Sequence, residues 1–204
     1  FSLEPAMNPS PSPKKLARKH EVRIIGGQWK RTSLPVADAI GLRPTPNRVR
    51  ETLFNWLYTL RGGVLQLHCL DAFAGSGALG FEAASRGASR VVMIEKNPLL
   101  FKQLQATKHK LQADAVEIRQ ADSLLQLKGL KETFDLIFLD PPYHLKLLPH
   151  LLETLAPQLA ENALIYVEDN APLTFAGWSL LRNEKAGMVH YGLLQREIFS
   201  EKAG

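Results

Sequence analysis

The chain has 204 residues, 45% of them hydrophobic, with a formal net charge of +5 and one cysteine, Cys69. That length suits a single hydrophobic core, and the apolar share excludes wholesale disorder. One cysteine excludes a disulfide framework and a multi-cysteine zinc site, so a reducing, cytoplasmic setting is expected, and no apolar run approaches the ~18 residues of a membrane span.

Residues 1–20 are rich in Pro, Ser, Lys and Arg, have almost nothing to bury, and read as a disordered basic tail. The stretch 1–6 ahead of Met7 reads as a remnant before a natural start, and the N-terminus lacks the apolar run of a signal peptide. Residues 22–25 form an expected short strand, Gly26-Gly27 a turn, and 28–35 a returning strand that carries Trp29, Lys30 and Arg31 toward solvent. Pro44 and Pro46 break the chain. From Pro46 a helix is expected over 47–60, with Val49, Leu53, Trp56, Leu57 and Leu60 on one face and Arg48 and Glu51 on the other. Residues 1–61 hold 11 Lys+Arg against 4 Asp+Glu, whereas 62–204 hold 14 against 16. A basic front on a near-neutral body suits a polyanion partner, or equally a solvated tail without one.

After Gly62-Gly63 the pattern alternates. Strands are expected at 67–72, 90–95, 115–120, 134–140 and 163–168, and helices at 79–85, 98–111, 122–128 and 145–159. A β-hairpin closes the chain, 178–185 and 188–199 across Ala186-Gly187. Strands alternating with helices imply an α/β fold with a mainly parallel sheet, whose ligands bind beyond the carboxyl ends of the strands.

Two motifs fall at such ends. The first, Asp71-Ala-Phe-Ala-Gly75-Ser-Gly77-Ala-Leu-Gly80, opens a helix, and its glycines allow a tight turn and close ligand approach. Glu95 ends the next strand, where a carboxylate can accept from both hydroxyls of a ribose. The glycines alone suit a dinucleotide as well, but Asp71 would repel a pyrophosphate and welcome a cationic ligand such as S-adenosylmethionine. Asp122, past the third strand, suits either an adenine amine or the N-cap of the helix that follows. The second motif is Asp140-Pro141-Pro142-Tyr143. Two prolines stiffen the chain and donate no backbone hydrogen bonds, so the motif presents acceptors, which an exocyclic amine needs. Tyr143 offers a stacking platform for a base, a role that needs the ring and not the hydroxyl. The six histidines do not cluster, His144 reads as lining, Cys69 as a small buried residue, and no metal is expected.

Together these residues resemble the class I S-adenosylmethionine-dependent amino-methyltransferases. The front segments, Arg23-Ile-Ile-Gly-Gly-Gln-Trp29-Lys30-Arg31 and Leu42-Arg43-Pro44-Thr45-Pro46-Asn47-Arg48-Val49-Arg50-Glu51 through Leu57, are similar to the RsmD type of small-subunit ribosomal RNA guanine-N2 methyltransferase. The resemblance covers roughly residues 21–199. It implies a Rossmann-like, doubly wound, mainly parallel seven-stranded sheet with a terminal hairpin and a small N-terminal β/helix extension. The implied organisation is a tail at 1–20, an RNA-binding extension at 21–61 and an S-adenosylmethionine-binding domain at 62–204. The implied reaction methylates guanine 966 of 16S rRNA in the small ribosomal subunit, by a soluble monomer. Carried over by position, Asp71, Phe73, Gly75, Ser76, Gly77 and Gly80 hold the methionine moiety. Glu95 holds the ribose and Asp122 the adenine amine, and Lys96 and Ser123 beside them also bind the cofactor. Asp140, Pro141 and Tyr143 hold the guanine, with Pro142 part of the same catalytic segment. Arg23, Lys30, Arg31, Arg43, Thr45, Arg48 and Arg50 lie toward RNA.

Three other readings stand beside it. A DNA or RNA adenine or cytosine amino-methyltransferase shares the acidic-Pro-Pro-aromatic logic, although 204 residues leave little room for a DNA-reading domain. A nicotinamide-dependent oxidoreductase would use the glycines but leaves Asp140–Tyr143 without a role. A non-enzymatic RNA-binding module would use the basic front alone.

Overall fold

Side chains that alternate along buried strands put a hydrophobic layer on each face of the central sheet. A computed structural model describes residues 22–36 and 44–198. The front holds β1 (Val22–Arg23), β2 (Ser33–Leu34) and α1 (Asn47–Arg61). Then come β3 (His68–Asp71), α2 (Ala78–Ser85), β4 (Arg90–Glu95), α3 (Pro98–Leu111), β5 (Val116–Gln120) and α4 (Ser123–Gln126). The chain continues through β6 (Phe134–Leu139), α5 (Leu148–Leu155), β7 (Leu159–Asp169), β8 (Trp178–Ala186) and β9 (Val189–Arg196).

Seven strands make one sheet in the order β5-β4-β3-β6-β7-β9-β8. It is parallel from β5 through β7 and antiparallel at β9 and β8, which is the expected doubly wound sheet with a closing hairpin. The order reverses between β3 and β6, so a crevice opens at their carboxyl ends. Alternation sorts the core: Val91, Met93, Leu136 and Phe138 pack with α1, α2 and α3 on one face. Val92, Ile94, Ile137 and Leu139 pack with α5 on the other.

The front segment departs most from expectation. Strands β1 and β2 are two residues each, and most of 28–35 is a turn. Its backbone is satisfied by α2 instead of by a longer ladder. The N–H groups of Ile25 and Gly26 donate to the Glu82 carboxylate, and those of Gln28 and Trp29 to the Ser85 carbonyl and hydroxyl. Trp29, expected in solvent, is half-buried against the core.

Arg50, expected to face RNA, is wholly buried. Its guanidinium donates to Glu82 Oε2 at 3.2 Å, the Thr45 carbonyl at 3.3 Å, the Arg23 carbonyl at 2.8 Å and the Asn47 side chain. Position 50 follows buried Val49 and precedes Leu53 and Phe54, which places it on the helix face turned inward. The expected helix over 145–159 shortens to α5. Lys146 in the left-handed region (φ 47°) ends a 3-10 turn at Tyr143–Leu145, and a second 3-10 turn follows at Ala156–Gln158. Likewise the helix expected over 122–128 is the single turn α4 followed by a 3-10 turn, Leu127–Gly129.

Candidate active site

The five parallel strands run to one edge of the sheet, and a carboxylate lies at or just past each end. These are Asp71 on β3, Glu95 on β4, Asp122 after β5, Asp140 after β6 and Glu168 on β7. Between the first two lies the glycine loop. Gly77 sits at φ 79°, and a Cβ there would meet the Phe81 and Leu104 side chains at 2.6–2.7 Å. Only glycine holds that turn without moving the core beneath it. A Cβ on Gly80 would come within 3.1 Å of Asp71 Oδ2, the atom that accepts the Gly80 N–H at 3.0 Å.

Four N–H groups of this loop are already committed. Gly75 N–H donates to Glu95 Oε2 at 2.8 Å, Gly77 N–H to the Ala74 carbonyl, Gly80 N–H to Asp71, and Ala74 N–H to the Ile94 carbonyl. A pyrophosphate cradle needs free N–H groups and no adjacent anions; this loop has four committed N–H groups and two carboxylates. The two carboxylates therefore fit S-adenosylmethionine, with its sulfonium and ammonium charges and its ribose, better than the pyrophosphate of a dinucleotide. Asp71 is buried, and burial pushes its carboxyl up to about 7, with the Gly80 N–H opposing and the Glu95 charge reinforcing the rise. A cation beside it would offset that cost.

Glu95 is half-buried, and its other oxygen accepts Asn97 N–H at 2.8 Å, which leaves lone pairs on both oxygens for hydroxyl donors. Asp122 caps α4 through Oδ1, which accepts Leu124 N–H at 3.0 Å, while its Oδ2 lies 3.3 Å from the exposed Lys96 ammonium. The capping half of its expected alternatives is thus realised. Ser123 is buried and commits its hydroxyl proton to the Ala72 carbonyl, so it ties α4 to the end of β3 instead of pointing a donor at a ligand. Phe73 is half-buried against the second core layer, and Ser76 is buried in the loop.

Asp140 stands across the crevice. It is half-buried, and no hydrogen bond to its carboxylate is found among the described residues. Burial raises its carboxyl well above the usual range, and the Glu168 and Asp71 charges add to that. Pro141 is buried, Pro142 exposed and Tyr143 half-buried. The Tyr143 hydroxyl donates to Glu168 Oε2 at 3.0 Å, so it has a partner the sequence did not suggest.

That partner is the residue that sequence reasoning missed. Glu168 is 5% exposed, and its Oε1 also accepts from Thr45 Oγ1 at 3.1 Å and the Tyr166 hydroxyl at 2.6 Å. The signal was there to read: like Glu95 and Asp140, Glu168 is an acid that ends a buried apolar run. Of the expected RNA-facing residues, Arg23, Lys30, Arg31 and Arg48 are exposed, Thr45 and Arg50 are buried, and Arg43 lies outside the described residues, as does the tail at 1–20. Lys30 and Arg31 sit on the turn that docks at Ser85, one helix length from the glycine loop, whereas Arg48 is on the first turn of α1, near Thr45. Among the described residues no His, Cys, Asp and Glu group has metal-binding geometry, and no helix is long and apolar enough to cross a membrane.

Comparison with known proteins points the same way as the geometry. The model of the family described as Conserved hypothetical protein 95 matches residues 22–195. The ribosomal RNA small subunit methyltransferase D of Escherichia coli (strain K12) is 42% identical over 187 residues, which are 89% of this chain and 93% of that protein. The protein of the same name from Haemophilus influenzae is 43% identical, over 87% of this chain and 95% of its own. Among solved structures, that of yhhF from Escherichia coli superposes with a TM-score of 0.77 at 43% identity and covers 87% of this chain and 98% of that one.

Proposed function

The chain belongs to the RsmD-type methyltransferase family, the Conserved hypothetical protein 95 family, and from that premise we propose that it methylates the exocyclic N2 amine of one guanine in small-subunit ribosomal RNA. The observation that carries the reading is Asp140. It is a carboxylate left without a protein donor, held between two prolines and the end of β6, on the strand that pairs with the one feeding the glycine loop. Such a site lacks only an N–H to accept.

Bound S-adenosylmethionine supplies an electrophilic methyl group on a sulfonium sulfur. Asp71 sets the glycine loop through Gly80 and lends negative charge beside the sulfonium and ammonium groups. Glu95 accepts from the ribose hydroxyls, with Lys96 at the mouth, and Asp122 accepts from the adenine amine while it caps α4. Phe73, Gly75, Ser76 and Gly77 shape the wall of the pocket. A guanine leaves its stack to enter the crevice. Tyr143 lies against its face, and an Asp140 oxygen accepts one N2 proton in a hydrogen bond. That bond orients the nitrogen lone pair toward the methyl carbon and offsets the charge that grows on nitrogen. Rate comes mostly from holding the two reactants in line. Burial makes the Asp140 carboxylate a better acceptor than an exposed one, and a proton can pass to it once the methylated amine is positive. Arg23, Lys30, Arg31 and Arg48 meet phosphates, with Arg43 on the segment just ahead of Pro44.

The test is methyl transfer from labelled S-adenosylmethionine to unmodified small subunits, free 16S RNA, adenine-rich RNA and duplex DNA. Labelling of the ribosomal acceptors alone is expected. Labelling of DNA, or no labelling with NAD bound instead, would overturn the reading.

A further inference from the structure

Every carboxylate at the sheet edge has a use in the reading above except Glu168, and its surroundings are unlike those of the buried glutamate in α2, Glu82. Glu82 is buried with two guanidinium groups, Arg50 and Arg86. Glu168 is buried with no cation paired to it among the described residues; three neutral hydroxyls, from Thr45, Tyr143 and Tyr166, converge on it. Burying a carboxylate is costly unless a cation or a full set of hydrogen bonds offsets it. The three donors come from three separate places: Tyr143 from the Asp-Pro-Pro-Tyr segment, Tyr166 from β7 itself, and Thr45 from between the two prolines that lead into α1. One carboxylate thus joins the stacking platform to the basic front segment, across 123 residues of sequence.

We propose that Glu168 is a positioning residue for methyl transfer, which fixes the Tyr143 ring through its hydroxyl and ties that ring, through Thr45, to the segment entering α1. This rests on the reading of Tyr143 as the platform for the target base, and it corrects the expectation that the hydroxyl is dispensable, because that hydroxyl is bonded to Glu168. The 3-10 turn that carries Tyr143 is flanked by exposed Pro142 and by Lys146 in a left-handed conformation, and the side-chain hydrogen bond of Tyr143 found among the described residues is the one to Glu168. A hydrogen bond to a charged acceptor fixes such a ring more firmly than one to a neutral acceptor. Thr45 makes the arrangement responsive: RNA that holds the segment beside Arg48 also holds the third donor in place.

The experiment is a double-mutant cycle on the full chain. Glu168→Gln and Tyr143→Phe should each lower kcat about tenfold, leaving KM for small subunits and the affinity for S-adenosylhomocysteine within about twofold. The double variant should be little slower than the slower single one, because both act on the same bond: Tyr143→Phe removes its donor and Glu168→Gln takes the charge from its acceptor. Thr45→Val should lower kcat less, about threefold. Effects that multiply in the double variant, or a Glu168→Gln enzyme with unchanged kcat, would overturn the proposal. A second readout needs no acceptor: with ring-13C tyrosine, the Tyr143 resonance, assigned from Tyr143→Phe, should shift and broaden in Glu168→Gln and in Thr45→Val. An unmoved resonance refutes the link even if the methyl acceptor is misassigned, and a moved one with labelled DNA in place of ribosomal RNA would refute the acceptor and keep the link.

Discussion

Arg50→Met removes a guanidinium that donates to four acceptors in the core while keeping most of the side-chain volume. Breaking a buried ion pair by deleting one partner costs about 3–5 kcal/mol. Here Glu82 retains three donors, the N–H groups of Ile25 and Gly26 and the Arg86 guanidinium, which moderates the cost at that end. At the other end the Arg23 and Thr45 carbonyls and the Asn47 side chain are each deprived of a donor, at roughly 0.5–1.5 kcal/mol apiece. The expected destabilisation is therefore about 3–5 kcal/mol, read from urea unfolding. At roughly 2–4 °C per kcal/mol for a domain of this size, Tm should fall by about 10 °C. Arg48→Met, two positions away in the same segment but exposed, should stay within about 0.5 kcal/mol of wild type. A destabilisation below about 1 kcal/mol for Arg50→Met would refute the network. Unchanged stability together with a flatter salt dependence of RNA binding would return Arg50 to the RNA role its position in an arginine-rich segment suggested.

Glu95→Ala should weaken S-adenosylmethionine by about 1–3 kcal/mol in calorimetry, the scale of hydrogen bonds to a charged group; unchanged affinity rejects the ribose role. Asp71 is protonated more readily in the folded chain, at about 7, than at its ordinary 3.8, so the folded state binds the extra proton between those values. Its contribution to stability is full below the ordinary 3.8 and is lost as pH rises through about 7. Asp71→Asn, which can still accept from Gly80, should flatten that decline in urea titrations, and an unaltered pH profile would contradict the burial argument. Neutralising Lys30 and Arg31 together should lower the slope of RNA affinity against salt by about one unit for each phosphate no longer gripped, with cofactor affinity unchanged; an unchanged slope would make that turn a solvated face.

Periodicity carried most of the central domain. Strand β4 and helix α3 begin and end where the apolar pattern does, because each has a clear stop, Pro98 at a helix start and a strand filled by Val91 to Ile94. The front segment was less legible. Its backbone bonds go to Glu82 and Ser85, more than fifty residues away in sequence, and no local pattern reports such partners. Arg50 misled for the same reason: a charged residue in a basic segment reads as exposed until its buried counter-ion is placed. The helix over 145–159 failed on turn chemistry, since Pro149 and Pro157 mark where the helical turn starts and loosens. In the candidate site, Asp71, Glu95, Asp122 and Asp140 were legible from strand ends. Glu168 carried the same strand-end signal and was passed over, and its meaning lies in Thr45 and Tyr143, which only the fold brings to it.

The most direct test of the account is the identity of the methylated nucleoside. Small subunits lacking the modification would be treated with wild-type protein and with Asp140→Ala, the RNA hydrolysed, and its nucleosides resolved by mass spectrometry. The account predicts N2-methylguanosine, one per subunit, with the wild type. With Asp140→Ala it predicts a rate lower by about a hundredfold or more, about 2.7 kcal/mol of transition-state stabilisation, at unchanged affinity for S-adenosylhomocysteine. Methyladenosine or methylcytidine in its place, or full yield at the wild-type rate from Asp140→Ala, would contradict it.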